Sequence, residues 1–208
     1  MNAKVLIVEG PSGVGKSTLI DAVLRKYVSE NKKIRSLLHL TQAHTYGPLA
    51  THEDTNTLTK EMNQSHLWQI QKILKWSVAS MEEEHKPTFF CIIGTLHITH
   101  CVRPGVITWA DVEDYDFRLK QLDCKVIFLK AVPETIWQRG ILPRRNERFI
   151  TNYGQKFGKS PTEIHRYFIG EQERLEQLTL NSQLDTLYLA AEGDFQRAVE
   201  SAYDFWMQ

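Results

Sequence analysis

Long apolar runs are missing from the chain: nothing in it approaches the roughly 20 consecutive residues that a membrane-spanning helix needs. Excess charge is missing too. Lys and Arg total 25 and Asp and Glu total 25, so no whole-molecule field draws the protein to a polyanion. Neither a nucleic-acid polymer nor a membrane is expected as a partner. Cysteine is scarce. Cys91, Cys101 and Cys124 are an odd number without a C-x-x-C pair, which argues against a disulfide framework or a zinc site and fits buried thiols in a reducing compartment. The apolar run from Val5 to Val8 is too short for a secretion signal and no cleavage pattern follows it. The expected location is cytoplasmic.

A chain of 208 residues, 42% of them hydrophobic, can bury a sizeable core as one domain spanning 1–208. Short apolar stretches at Lys4–Val8, Ile34–Leu40, Thr88–Ile93, Lys125–Leu129 and Thr186–Leu189 alternate with longer amphipathic segments. Each stretch is apolar almost throughout, the pattern of strands covered on both faces. The expected fold is therefore α/β, a doubly wound parallel sheet flanked by helices. Helices are expected at Lys16–Ser29, Leu58–Glu84, Trp109–Leu122, Pro133–Ile141, Pro161–Leu180 and Phe195–Phe205. The start at Pro161 carries the fullest signal: Ser160 can cap, proline suits the first helical position, and Glu163 completes an S-x-x-E capping box. Asp194 is a natural cap for the last helix. Two irregular regions, Thr41–Thr57 and Ile141–Lys159, exceed ordinary loop length.

Gly10-Pro11-Ser12-Gly13-Val14-Gly15-Lys16-Ser17 matches G-x-x-x-x-G-K-[ST] between a predicted strand and a predicted helix, which is the setting the motif requires. Glycines let successive backbone N–H groups point inward, and the helix N-terminus adds its positive end to the same anion site. A chance glycine-rich turn would not fall in register with both elements. Gly10, Ser12, Gly13, Val14, Gly15, Lys16, Ser17 and Thr18 are thus the candidate binding residues for the phosphates of ATP. Lys16 is expected on the β- and γ-phosphates, and the Ser17 hydroxyl on Mg²⁺. A phosphate-binding loop does not by itself choose between kinase, GTPase and motor. The guanine-reading N-K-x-D run of a GTPase is absent, because the Asn31-Lys32 pair is followed by Lys33 and Ile34 and precedes the second strand.

After the fourth strand, Arg139, Arg144, Arg145 and Arg148 crowd together in a lid-like segment at about 139–159. Guanidinium groups that close over a moving phosphoryl group stabilise its charge and exclude water, so these arginines are candidate catalytic residues. A solvated basic loop, with Glu147 pairing locally, is the plainer alternative.

At this point the chain resembles the thymidylate kinase and deoxynucleoside kinase branch of the P-loop kinases. The resemblance rests on Val8-Glu9-Gly10 before the loop, on Pro133-Glu134 followed by Arg139, on Arg144-Arg145-Asn146-Glu147, and on Ile164-His165-Arg166-Tyr167. It implies a five-stranded parallel sheet of order 2-3-1-4-5, lid arginines on the phosphates, and an acceptor pocket built from the second strand through a long helix. The lid match needs one extra residue between Arg139 and Arg144. The loop also looks like that of guanylate kinases, but no counterpart of their nucleobase-binding segment is found.

One departure matters. Where the family ends its third strand with an acidic residue followed by arginine, this chain has Gly94-Thr95. Glu9 is then the nearest candidate for an outer-shell carboxylate near the metal, and Arg103 a candidate to replace the lost arginine.

On the acceptor side, Glu53 is a candidate general base in the polar loop after the second strand, as much as it is a candidate solvated residue. Tyr46, Trp68, His97 and Arg103 are candidate substrate-binding residues. An aromatic at helical spacing such as Trp68 is more often core than a platform for a nucleobase, and His97 with His100 lacks the acidic or cysteine partners of a metal site. The expected activity is ATP-dependent transfer of a phosphoryl group to a nucleoside, a thymidylate-like nucleoside monophosphate or another small acceptor, with a homodimer left open. A nucleotide-binding regulatory or catalytically degenerate protein is the alternative, as is a kinase for a non-nucleotide small molecule.

Overall fold

Val5 and Ile7 of the first strand join one hydrophobic cluster, while Leu6 and Val8 join another, and all four are buried. That alternation, with apolar side chains on both faces, is what a strand in the middle of a covered sheet requires. A computed structural model describes residues 3–30, 37–40, 75, 89–102, 108–144 and 160–208. Among them, the strands β1 (Ala3–Glu9), β2 (Leu37–Leu40), β3 (Phe89–Gly94), β4 (Lys125–Lys130) and β5 (Asp185–Ala190) form one sheet of order β2-β3-β1-β4-β5. Every pairing is parallel, with Val5 opposite Cys91 and Ile7 opposite both Ile93 and Val126. The expected parallel α/β architecture is thus the observed one.

Helices α1 (Lys16–Glu30) and α5 (Phe195–Met207) pack together on the face that carries Leu6, Val8, Ile92 and Ile127. Trp206 closes this layer. It packs against Tyr27 and Phe90, and its indole N–H donates to the Lys4 carbonyl at 3.2 Å. The other face carries Val5, Ile7, Ile93, Val126 and Phe128 beneath α2 (His97–Val102), α3 (Trp109–Gln121) and the later part of α4 (Pro161–Asn181). Helix α2 was not foreseen from the sequence. Its six residues are too few to show a helical period, and it is held by tertiary contacts.

The expected α-helix over Pro133–Ile141 is corrected. One α-helical turn at Pro133–Thr135 gives way to a π-helical stretch at Ile136–Ile141 and a 3-10 turn at Leu142–Arg144. The expected helix at Leu58–Glu84 lies outside the described residues apart from Lys75. No helix among the described residues is long and apolar enough to cross a membrane.

Candidate functional site: the cleft beside the glycine-rich loop

Parallel strands all present their carboxyl ends at one edge, and that edge is where α/β sheets place their ligands. β1 delivers the loop Gly10–Ser17 there, in the centre of the sheet. Gly10, Gly13 and Gly15 adopt φ of 141°, 80° and 109°, values that wrap the chain around an anion-sized space. At Gly13 a side chain is also barred by contact, since a Cβ would fall 2.5 Å from the Cα of Gly140. Lys16 Nζ donates to the carbonyls of Gly10 at 2.6 Å and Pro11 at 2.7 Å, which holds the ammonium over the loop. Ser17 and Thr18 are exposed in the first turn of α1. The loop and the first turn therefore assemble backbone donors, an ammonium and a hydroxyl in one place, a donor set that fits a magnesium-bound polyphosphate.

A cleft of about 420 Å³ opens beside the loop, lined among others by Gly13, Gly15, Thr18, Arg139, Ala191 and Phe195. This is the size of a pocket for a small organic ligand. The exposed Arg139 spans it, donating from Nη1 to the Ala191 carbonyl at 2.9 Å. Phe195, 49% exposed at the start of α5, adds an aromatic face to the same cleft. Glu192 accepts the Val132 N–H at 2.9 Å. Burial pushes its carboxyl up, but hydrogen bonds from Thr135 and Val132 and the nearby Arg139 charge hold it below the usual carboxylate range. The β5–α5 connection was not singled out from the sequence. Only Asp194 was read there, as a helix cap, and its carboxylate does accept the Arg197 N–H at 3.1 Å.

Two expected site residues are corrected. Glu9 is fully buried, and both its oxygens are engaged: Oε1 accepts the Leu96 N–H at 2.8 Å and Oε2 accepts the Thr99 hydroxyl. It braces the turn after β3. His97, expected to line an acceptor cleft, is fully buried too, with Nε2 at 2.8 Å from Asp116 Oδ1. Asp116 also accepts the Ser182 hydroxyl at 2.5 Å and the Gln183 N–H at 2.8 Å. Its carboxyl is pushed up by burial, yet these three partners outweigh that and hold it below its ordinary value. Asp116 of α3 thus ties His97 of α2 to the α4–β5 connection. His100 is likewise buried.

At the departure Gly94-Thr95, Gly94 ends β3 and Thr95 takes φ 71°. That conformation is uncommon for a β-branched residue. Thr95 is buried; its N–H donates to the Val8 carbonyl at 3.0 Å and its hydroxyl to the Gly94 carbonyl at 2.5 Å. Burial pushes the thiols of Cys91 and Cys101 up to about 12, so both are inert as nucleophiles near neutrality. Arg144 ends the 3-10 turn. Tyr46, Glu53, Trp68, Arg103, Arg145 and Arg148 lie outside the described residues. No group of three or more metal-ligating His, Cys, Asp or Glu side chains is gathered among the described residues.

The sheet with its glycine-rich loop at the carboxyl edge defines an α/β protein of nucleotide-binding fold. Among solved structures, the chain is similar to the YorR protein of Bacillus subtilis, described in complex with phosphorylated GDP, at a TM-score of 0.57 and 13% identity. The match covers 95% of this chain and 92% of that one; at such identity it speaks to the fold. No protein-family model matches the chain, and no curated protein does.

Proposed function

We propose that the protein is an ATP-dependent phosphotransferase of the P-loop nucleoside or nucleotide kinase type. It would move the γ-phosphoryl group to a nucleoside, a thymidylate-like nucleoside monophosphate or a similar small acceptor. One observation carries this reading: Gly13, Val14 and Gly15 of the loop, Arg139 and the β5–α5 connection line one cleft of about 420 Å³. Its size suits the base and sugar of a nucleotide whose phosphates lie on the loop. The sheet order β2-β3-β1-β4-β5 is the one that the resemblance to thymidylate and deoxynucleoside kinases implies, and the likeness to YorR supports the same fold.

Backbone N–H groups from Gly13 to Ser17 and the Lys16 ammonium would hold the β- and γ-phosphates, with Ser17 Oγ as the protein's ligand to Mg²⁺. When bound, the metal would neutralise charge on the phosphate oxygens. Arg144, Arg145 and Arg148 would meet the charge on the transferred group, and positioning of the acceptor would contribute most of the rate. Glu53 would take the proton of a hydroxyl acceptor.

A second reading, a regulatory or catalytically degenerate nucleotide-binding protein, is favoured by the buried Thr95 and the unbranched Gly94 where the family places an acid and an arginine. Labelled ATP offered with a panel of nucleosides and nucleoside monophosphates separates the two. The expected result is transfer to at least one acceptor, reduced by roughly 10²–10³-fold in Lys16→Ala, as for loss of one group that stabilises transition-state charge. Tight ATP binding without transfer to any acceptor would establish the second reading.

A further inference from the structure

Arg139 is presented to the cleft by an unusual piece of backbone. An i→i+5 turn holds one residue more than an α-turn and brings residues five apart towards one face. In the π-helical stretch Ile136–Ile141 the two terminal isoleucines are both 0% exposed and lie in the same core cluster. Arg139 is exposed on the cleft while its neighbour Gly140 is buried. Gly140 rests directly on the phosphate-binding loop. A Cβ on Gly13 would fall 2.5 Å from the Gly140 Cα and 3.2 Å from its nitrogen, and a Cβ on Gly140 would fall 3.2 Å from the Ser12 carbonyl oxygen. No side chain separates the two backbones, so the turn takes its position from the loop itself.

We infer that Gly140 is a positioning residue: by seating the π-helical turn on Ser12 and Gly13 it fixes where the Arg139 guanidinium lies over the nucleotide cleft. The inference rests on the nucleotide reading of that cleft. A methyl group at Gly140 must push the turn or the Ser12 carbonyl by a few tenths of an ångström. A hydrogen bond between charged groups is worth from about tenfold to about a hundredfold in affinity, so a partly misplaced guanidinium is expected to cost roughly tenfold.

ADP is the probe, its affinity measured by calorimetry on the whole chain. Gly140→Ala is expected to weaken ADP binding roughly tenfold. Arg139→Ala should weaken it as well, and the double variant should bind no worse than Arg139→Ala alone, because Gly140 acts through Arg139. A merely structural role would lower the melting temperature without that pattern. Unchanged ADP affinity in Gly140→Ala overturns the inference, and so do losses that multiply in the double variant. Should Gly140→Ala not fold, hydrogen exchange on the wild-type chain decides. The Ile136–Ile141 amides should exchange more slowly with ADP bound, and unchanged rates overturn the seat. Failure of ADP to bind the wild-type chain is a distinct result, which overturns the nucleotide reading and the inference with it.

Discussion

Asp116 is the residue on which the buried polar structure beneath the sheet converges, with His97, Ser182 and the Gln183 amide all directed at one carboxylate. Because its folded-state value lies below the ordinary one near 3.9, the carboxylate stabilises the fold fully above that pH. The contribution disappears as pH falls through the depressed folded value. Asp116→Asn should therefore unfold at a lower urea concentration than the wild type at pH 6, with the gap starting to narrow as pH falls below about 4 and closing only once pH passes below the depressed folded value, where the wild-type carboxylate is protonated as well. A gap that stays constant down to pH 2 would show that the charge is irrelevant. None of this was legible in the sequence, where His97 read as a cleft residue. What decides its role is a partner on another helix, and neither composition nor spacing reports which side chains the crossing of two helices will bring together. Glu9 makes the same point over a greater distance, since its donors Leu96 and Thr99 come from the far side of a strand crossover.

Local signals fared better at the scale of elements. The S-x-x-E pattern at Ser160 marks a helix start because the groups involved are neighbours in the chain, and the Ser160 hydroxyl does accept the Glu163 N–H. Ser160→Ala should cost about 1 kcal/mol, a fall in melting temperature of about 2–4 °C for a chain of this length. A loss well below that range would mean that a solvent molecule satisfies the amide equally well. The strands were readable for a related reason. Coverage on both faces demands apolar residues almost throughout, and Lys125–Lys130 shows it with five consecutive buried residues. The segment after β4 was not readable as a π-helix, because its contact with the loop, Gly140 against Ser12 and Gly13, is made between residues far apart in the chain.

For the molecule as a whole, anything that binds the folded chain and not the unfolded one raises stability by mass action. ATP with Mg²⁺ at a hundred times its dissociation constant should add about 2.7 kcal/mol, or about 5–11 °C in melting temperature. Lys16→Ala should lose most of that rise at the same ligand concentration. An equal rise in the variant would place the ligand elsewhere than on the loop. The fold class and the place of the glycine-rich loop between β1 and α1 could be read from the chain alone. The cleft could not, because it is shared between the loop, the π-helical turn and the β5–α5 connection, segments that meet only once the sheet is assembled.

That assembly has a consequence for how the protein is made. β1 occupies the centre of the sheet, yet its hydrogen-bonding neighbours begin only at Phe89 and Lys125. A ribosome adding about 5–20 residues per second releases this strand, with its apolar faces uncovered, many seconds before either neighbour exists. The glycine-rich loop thus emerges well before the strands that flank β1 and hold the loop in place.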